Sequence, residues 1–165
     1  MLVIFSGLPG VGKTAIAREL ARTIGAVRLR IDSIEQALRR AGCRVEGEGY
    51  EVAYAVAEDN LRAGRTVVAD CVNPWALPRG AWRSVAERAG VAALDVEIVC
   101  SDAAQHRRRV ESREPDIAGH PLPTWEDVVK RDYHEWDRDR LVVDTAASDV
   151  TAGVCAIVGR MSAQA

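Results

Sequence analysis

The chain of 165 residues contains no C-x-x-C pair. Its four cysteines, Cys43, Cys71, Cys100 and Cys155, stand far apart, and its three histidines complete no zinc pattern. Reduced thiols in a cytoplasmic protein are therefore the expectation, with Cys100, in an apolar run, read as a small core residue. There is also no surplus of positive charge. Against 22 Lys and Arg stand 24 Asp and Glu, for a net charge of −2 and a pI of about 5.9. That excludes a protein coating nucleic acid through many phosphate contacts. No apolar stretch is long enough to span a bilayer. No basic leader with a cleavage site precedes the first apolar run. Repeats, low-complexity tracts and linkers are missing as well. What remains, 48% hydrophobic and 28% charged, is the composition of a soluble globular protein, and the length suits one domain over 1–165.

Short apolar runs alternate with amphipathic stretches, the pattern of an α/β protein with a parallel sheet. Leu2 to Phe5 is continuous apolar sequence, as a strand buried on both faces demands. Lys13 to Ile24 follows as a helix whose buried stripe is Ile16, Leu20 and Ile24, closed by Gly25. Val27 to Ile31 alternates apolar residues with Arg28 and Arg30, which predicts a second strand with one wet face. Ser33 is a candidate cap for a helix ending near Gly42. Residues 43–49 read as a loop and Tyr50 to Ala63 as a helix. Thr66 to Ala69 gives the third strand, Ala81 to Ala89 a helix, and Leu94 to Cys100 the fourth strand. An Arg-rich helix over 102–112 leads into a loop with three prolines, Glu114 to Pro123. A polar helix over 125–139, a fifth strand at Leu141 to Val143 and a final helix over 149–158 complete the pattern.

Gly7-Leu-Pro-Gly-Val-Gly-Lys-Thr14 matches G-x-x-x-x-G-K-[ST] between a strand and a helix. Glycines at 7, 10 and 12 let the backbone turn sharply and aim successive N–H groups at phosphate oxygens, with Pro9, Val11 and Ala15 completing the cradle. The helix N-terminus adds partial positive charge. An exposed Lys13 reaches the β- and γ-phosphates, and the Thr14 hydroxyl binds Mg²⁺. The expectation is Mg-ATP bound over this loop.

Three further features bear on what is done with the nucleotide. Asp32 ends the second predicted strand, where ligands of open α/β sheets sit. It can take the proton of an attacking hydroxyl, or merely cap a helix. Asp70 ends the third strand. It suits a residue holding Mg²⁺ through water or contacting the acceptor, and the competing reading is turn formation before Asn73-Pro74. Arg109 and Arg113 are four apart, share a helical face, and lead into the Pro-rich loop. The segment 109–124 then reads as a lid whose arginines stabilise the transferring phosphoryl group. Arg107 and Arg108 read as solvated.

Taken in order, the P-loop, Leu29-Arg-Ile-Asp32, Val67-Val-Ala-Asp70-Cys-Val-Asn73-Pro74 and Arg109/Arg113 resemble the small P-loop kinases related to polynucleotide 5′-kinase, gluconate kinase, chloramphenicol phosphotransferase and zeta toxins. They also resemble bacterial members called AAA-family ATPases. The resemblance implies a three-layer sandwich of the P-loop NTPase type, its five parallel strands ordered 2-3-1-4-5 with helices on both faces. It implies Asp32 as general base, lid arginines on the phosphates, and adenine near the loop after the fifth strand; Asp32, Asp70 and Asn73 are the candidates to contact the acceptor. One position departs. Polynucleotide kinases of this group carry an Arg one helical turn after the base, where this chain has Glu35. A carboxylate there repels a phosphorylated end, which disfavours nucleic acid and favours a neutral or cationic small molecule with a hydroxyl group. A regulatory NTPase switch acting on a protein partner is the alternative. Tyr50, Tyr54, Trp75 and Trp82 are candidates to stack on a planar acceptor or to pack in the core.

Overall fold

The computed structural model describes residues 1–164, and Ala165 of the expected 1–165 domain lies outside the described residues. The elements in chain order are β1 (Leu2–Ser6), α1 (Lys13–Ile24), β2 (Val27–Arg30), α2 (Ile31–Arg40), α3 (Glu48–Arg62) and β3 (Val67–Asp70). They continue with α4 (Ala76–Arg88), β4 (Ala93–Val99), α5 (Ala103–Glu111), α6 (Trp125–Val129), β5 (Leu141–Asp144) and α7 (Val150–Ser162). All strand pairs are parallel, and the sheet order is β2-β3-β1-β4-β5, the order the resemblance implies.

β1 shows why both faces are covered. Strand side chains alternate between faces, so Val3 and Phe5 join Ile16 and Leu20 of α1 and Val154 and Ile157 of α7 in one core layer. Leu2 and Ile4 join Ala53, Ala57 and Leu61 of α3 and Trp82 and Val85 of α4 in the other. All four apolar residues of β1 are fully buried. At roughly 1.5–3 kcal/mol for each large apolar side chain fully buried, this strand is a firm base for the loop it feeds. The register sets Arg30 of β2 beside Asp70 of β3, so the carboxyl ends of β1, β2 and β3 open side by side onto one end of the sheet.

Five expectations need correction. α2 begins at Ile31 with Arg30 as its N-cap, so Ser33 caps nothing and Asp32 sits in the first helical turn, not at a strand end. The expected wet face of β2 is largely dry, since Arg30 is buried. Cys100 lies just past β4 and is only half-buried. The polar helix expected over 125–139 stops at Val129. Beyond it, the carbonyls of His134 and Glu135 turn inward to accept hydrogen bonds from the buried Arg79 guanidinium at 3.0 and 3.2 Å. A helix would have used those carbonyls for its own ladder. Trp136 and Tyr133 pack on the same cation, 4.1 and 5.0 Å from its central carbon. α4 also starts earlier than expected, at Ala76, with Pro78 in the first turn, where its missing N–H costs little.

Candidate active site

The loop after β1 is held from several sides. The Gly7 N–H donates to the Val72 carbonyl at 3.1 Å. Gly7 has φ +136°, and a Cβ there would stand 2.2 Å from the Ile98 carbonyl oxygen. Only glycine fits, because the obstacle is backbone. The His106 Nε2–H donates to the Pro9 carbonyl at 2.8 Å, and Trp125 packs edge-on against that imidazole. α1 begins directly after Gly12, so its unpaired N–H groups face the space above the loop.

Lys13 is not the exposed residue expected. Its side chain is buried, and Nζ donates to the Leu8 carbonyl at 2.7 Å. Burial pushes its pKa down to about 8, although the charges of Asp70 and Asp32 pull it back up. Asp70, also buried, moves the opposite way. Burial raises its carboxyl despite Lys13, Arg28 and Arg30 nearby. Both shifts show that desolvation outweighs the mutual attraction. The two charges are thus costly where they stand, and a polyanion with its cation would relieve both.

Thr14 Oγ1 donates to Asp70 Oδ1 over a long 3.4 Å, while Asp70 Oδ2 is buried without a hydrogen-bond partner and lies 3.7 Å from Arg28. A hydroxyl beside an under-used carboxylate, next to a phosphate-binding loop, fits a hard divalent cation that takes most of its other ligands from phosphate and water. Among the described residues no group of three or more His, Cys, Asp or Glu forms a metal cage, and Mg²⁺ carried by a nucleotide needs none.

One cavity of about 1340 Å³ joins the expected site residues. Pro9, Gly10, Gly12, Lys13, Thr14 and Ala15 line it, as do Asp32, Asp70, Arg109 and Arg113. Gly7 and Val11 support the loop from beneath and do not line the cavity. Asn73, expected on the acceptor, is fully buried, with its Nδ2 donating to the Phe5 carbonyl at 2.9 Å. Its φ of +46° marks the bend after β3, so Asn73 shapes the wall from behind. Glu35, Tyr50, Tyr54 and Trp75 line the cavity too. Glu35 pairs with Arg39 at 3.0 Å, and Gly49 leaves it room, since a Cβ there would stand 2.4 Å from the Glu35 side chain. Trp82 is wholly in the core, edge-on to Tyr54.

The two arginines expected on a common helical face are separated by the end of α5. Arg113 follows the helix and reaches the cavity from the irregular 112–124 segment. Arg109, within α5, donates to Thr145 Oγ1 at 2.7 Å and to the Thr145 carbonyl at 3.0 Å. That hydroxyl in turn donates to the Val11 carbonyl at 2.8 Å, which ties α5, the loop after β5 and the phosphate loop into one chain. Sequence reasoning missed Thr145, Arg79 and Arg30. Arg30 alone gave a signal: a charged residue at a strand end, beside the candidate base.

Fold and loop define a P-loop nucleotide-binding α/β protein. Residues 2–131 match the AAA domain family, and the chain belongs to it. A gluconokinase from Sinorhizobium meliloti 1021 superposes with a TM-score of 0.60 at 15% identity over 99% of this chain and 96% of that one. Kti12 from Chaetomium thermophilum, in complex with ADP-AlF3, gives 0.71 at 18% over 97% and 98%. The Mycobacterium tuberculosis APS kinase CysC, in complex with AMPPNP and APS, gives 0.64 at 17% over 98% and 96%. At such identities these likenesses establish the fold alone. A search of curated proteins found no match. No helix among the described residues is long and apolar enough to cross a membrane.

Proposed function

We propose that the protein is an ATP-dependent phosphotransferase that moves the γ-phosphate of Mg-ATP to a hydroxyl group of a small molecule. The observation that carries this reading is the single cavity that holds the phosphate loop and Asp32 together with Tyr50, Tyr54 and Trp75. Pockets for one drug-sized ligand run to roughly 300–1,000 Å³. A cavity of about 1340 Å³ offers room for an acceptor beyond the phosphates. The structural neighbours named gluconokinase and APS kinase support the same class.

In this reading the loop N–H groups and Lys13 hold the phosphates, and Thr14 and Asp70 hold Mg²⁺, which neutralises the phosphoryl oxygens. Asp32, its side chain 39% exposed, orients the acceptor hydroxyl and takes its proton. Arg113 supplies positive charge from the lid. Glu35, Tyr50, Tyr54 and Trp75 contact the acceptor, and Glu35 disfavours a phosphorylated one. The single domain over 1–165 with a lid at 109–124, and a cytoplasmic setting suited to the free cysteines, belong to the same proposal. The test is a metabolite panel with ADP release and mass detection of product. Turnover that rises sharply with one hydroxyl compound and yields its phosphate ester supports the reading. Stimulation only by a protein, with no ester formed, sinks it in favour of a switch. Stimulation by 5′-hydroxyl oligonucleotides moves the acceptor to nucleic acid.

A further inference from the structure

The lid segment is already fastened, and the fastener adjoins the candidate base. Arg30 leaves the end of β2 with a side chain only 5% exposed. It donates to both carboxylate oxygens of Asp116, Nη1 to Oδ2 at 2.6 Å and Nη2 to Oδ1 at 3.0 Å. The partners are 86 residues apart in sequence. Six residues further along, in α2, Gln36 Nε2 donates to the Ala118 carbonyl at 3.2 Å. These two contacts hold 116–118 down on α2. The same Nη2 lies 3.5 Å from Oδ2 of Asp32, and Nε is buried without a partner.

A buried cation must keep a counter-charge. With the segment down, Asp116 supplies it in the bidentate geometry that suits a guanidinium. Asp32, 3.5 Å away and not hydrogen-bonded to it, is then the weaker of two partners and keeps its place on the cavity wall. When the segment lifts, Asp116 leaves with it. Arg30 cannot follow from its buried root, and Asp32 is the nearest carboxylate. We infer that Arg30 is a positioning residue that couples closure of the 112–124 lid to Asp32: with the lid down it releases the carboxylate to act as base, and with the lid up it captures it. The inference rests on the phosphotransferase reading. In the step it governs, the acceptor oxygen forms a bond to the γ-phosphorus, the bond from that phosphorus to the leaving ADP oxygen breaks, and the acceptor proton passes to Asp32. An open site with its base captured is protected from spending ATP on water.

The variants Asp116→Asn and Asp116→Asn/Arg30→Gln separate this device from a plain structural tie. Hydrogen exchange over 113–120 should rise at least tenfold in Asp116→Asn. Calorimetric affinity for a non-hydrolysable ATP analogue should stay within about threefold. The basal ATPase kcat should fall at least tenfold with KM for ATP little changed. The double variant should keep the loose lid yet regain a large part of kcat, because nothing is left to capture Asp32. A plain tie predicts no such recovery. If the doubly substituted chain fails to fold, Asp116→Asn/Arg30→Lys replaces it: lysine keeps the charge, so kcat should stay low. Unchanged exchange in Asp116→Asn overturns the latch. A double Asp116→Asn/Arg30→Gln variant no faster than Asp116→Asn, or a fast Asp116→Asn/Arg30→Lys variant, overturns the coupling. A parent chain without ATP turnover, alone or with any compound of the acceptor panel, defeats the phosphotransferase reading and the coupling with it, whereas exchange judges the latch independently of activity.

Discussion

The phosphate loop and the segments that close the rest of the fold around it are held by different means. Around the phosphate loop, backbone does the positioning. A glycine that fits against the Ile98 carbonyl, a helix starting at Lys13, and a strand buried on both faces fix the geometry. Outside the phosphate loop, long side chains reach across the fold. Arg30 holds Asp116, Gln36 holds Ala118, and Arg79 holds His134 and Glu135. Backbone constraints of that kind tolerate little change. Side-chain ties can be re-tuned without disturbing the loop.

The sharpest break in that comparison should come at Lys13. Removing a buried charged partner of phosphate costs about 3–4 kcal/mol, so Lys13→Ala should weaken Mg-ATP binding by ~10²–10³. The fold should persist with a lowered melting temperature, because buried Asp70 loses the compensation of the Lys13 charge. Calorimetry and a thermal melt check both. Retained affinity would remove the phosphate role from Lys13.

Asp32→Asn should leave ATP affinity within a few-fold and cost ~10² or more in transfer to the acceptor, the usual scale of general-base assistance. Near-parental transfer would reduce Asp32 to a first-turn acid that merely suits the helix dipole. The arginines sharpen the contrast further. Arg113→Ala should lower kcat by at least about threefold, worth ~0.7 kcal/mol, with ATP affinity kept. Arg109→Ala should weaken ATP affinity as well, because Arg109 braces Thr145 and through it the Val11 carbonyl. Equal profiles for the two variants would erase the distinction drawn between them.

A pH dependence probes the phosphate loop without any substitution. Lys13 titrates at about 8 in the ligand-free fold, against an ordinary value of 10.5. Its folded value lies below its unfolded one, so the ligand-free protein gains stability as pH rises from about 8 towards 10.5. Phosphate binding needs the proton that the free protein then lacks. Mg-ATP affinity should therefore fall above pH 8, by roughly tenfold per unit if Lys13 alone governs it. Binding near pH 8.5 should take up protons, visible as a dependence of the calorimetric heat on the buffer's ionisation enthalpy. A flat affinity from pH 7 to 9.5 would contradict the burial cost assigned to Lys13.

The same division explains what could be read before the fold was known. Apolar runs, glycine positions and the loop pattern are local, so β1, α1, the sheet and the phosphate site were legible in the sequence. The strand order came from resemblance, not from periodicity. Arg30 looked solvated because alternation along β2 says nothing of a loop 86 residues away that covers it. The helix expected after Trp125 had acceptable local propensity, and a buried guanidinium on α4 overrode it. Asn73 looked like a ligand contact because chain position alone does not show which way an amide points.

Arg79 has a consequence for the order in which the chain assembles. Four backbone carbonyls, of Asn73, Pro74, His134 and Glu135, converge on its guanidinium between two aromatic rings. No acidic side chain pairs with it among the described residues. In effect it is coordinated as a metal ion would be, and coordination of that kind is all or none. Half of its ligands come from a segment that has no regular structure of its own and lies some 55 residues downstream. That segment can settle only after α4 has docked and the bend after β3 is set, since closing so long a loop must precede the reward. The stretch from 130 to 137 should then acquire its native fluorescence, through Trp136, in the last kinetic phase of refolding.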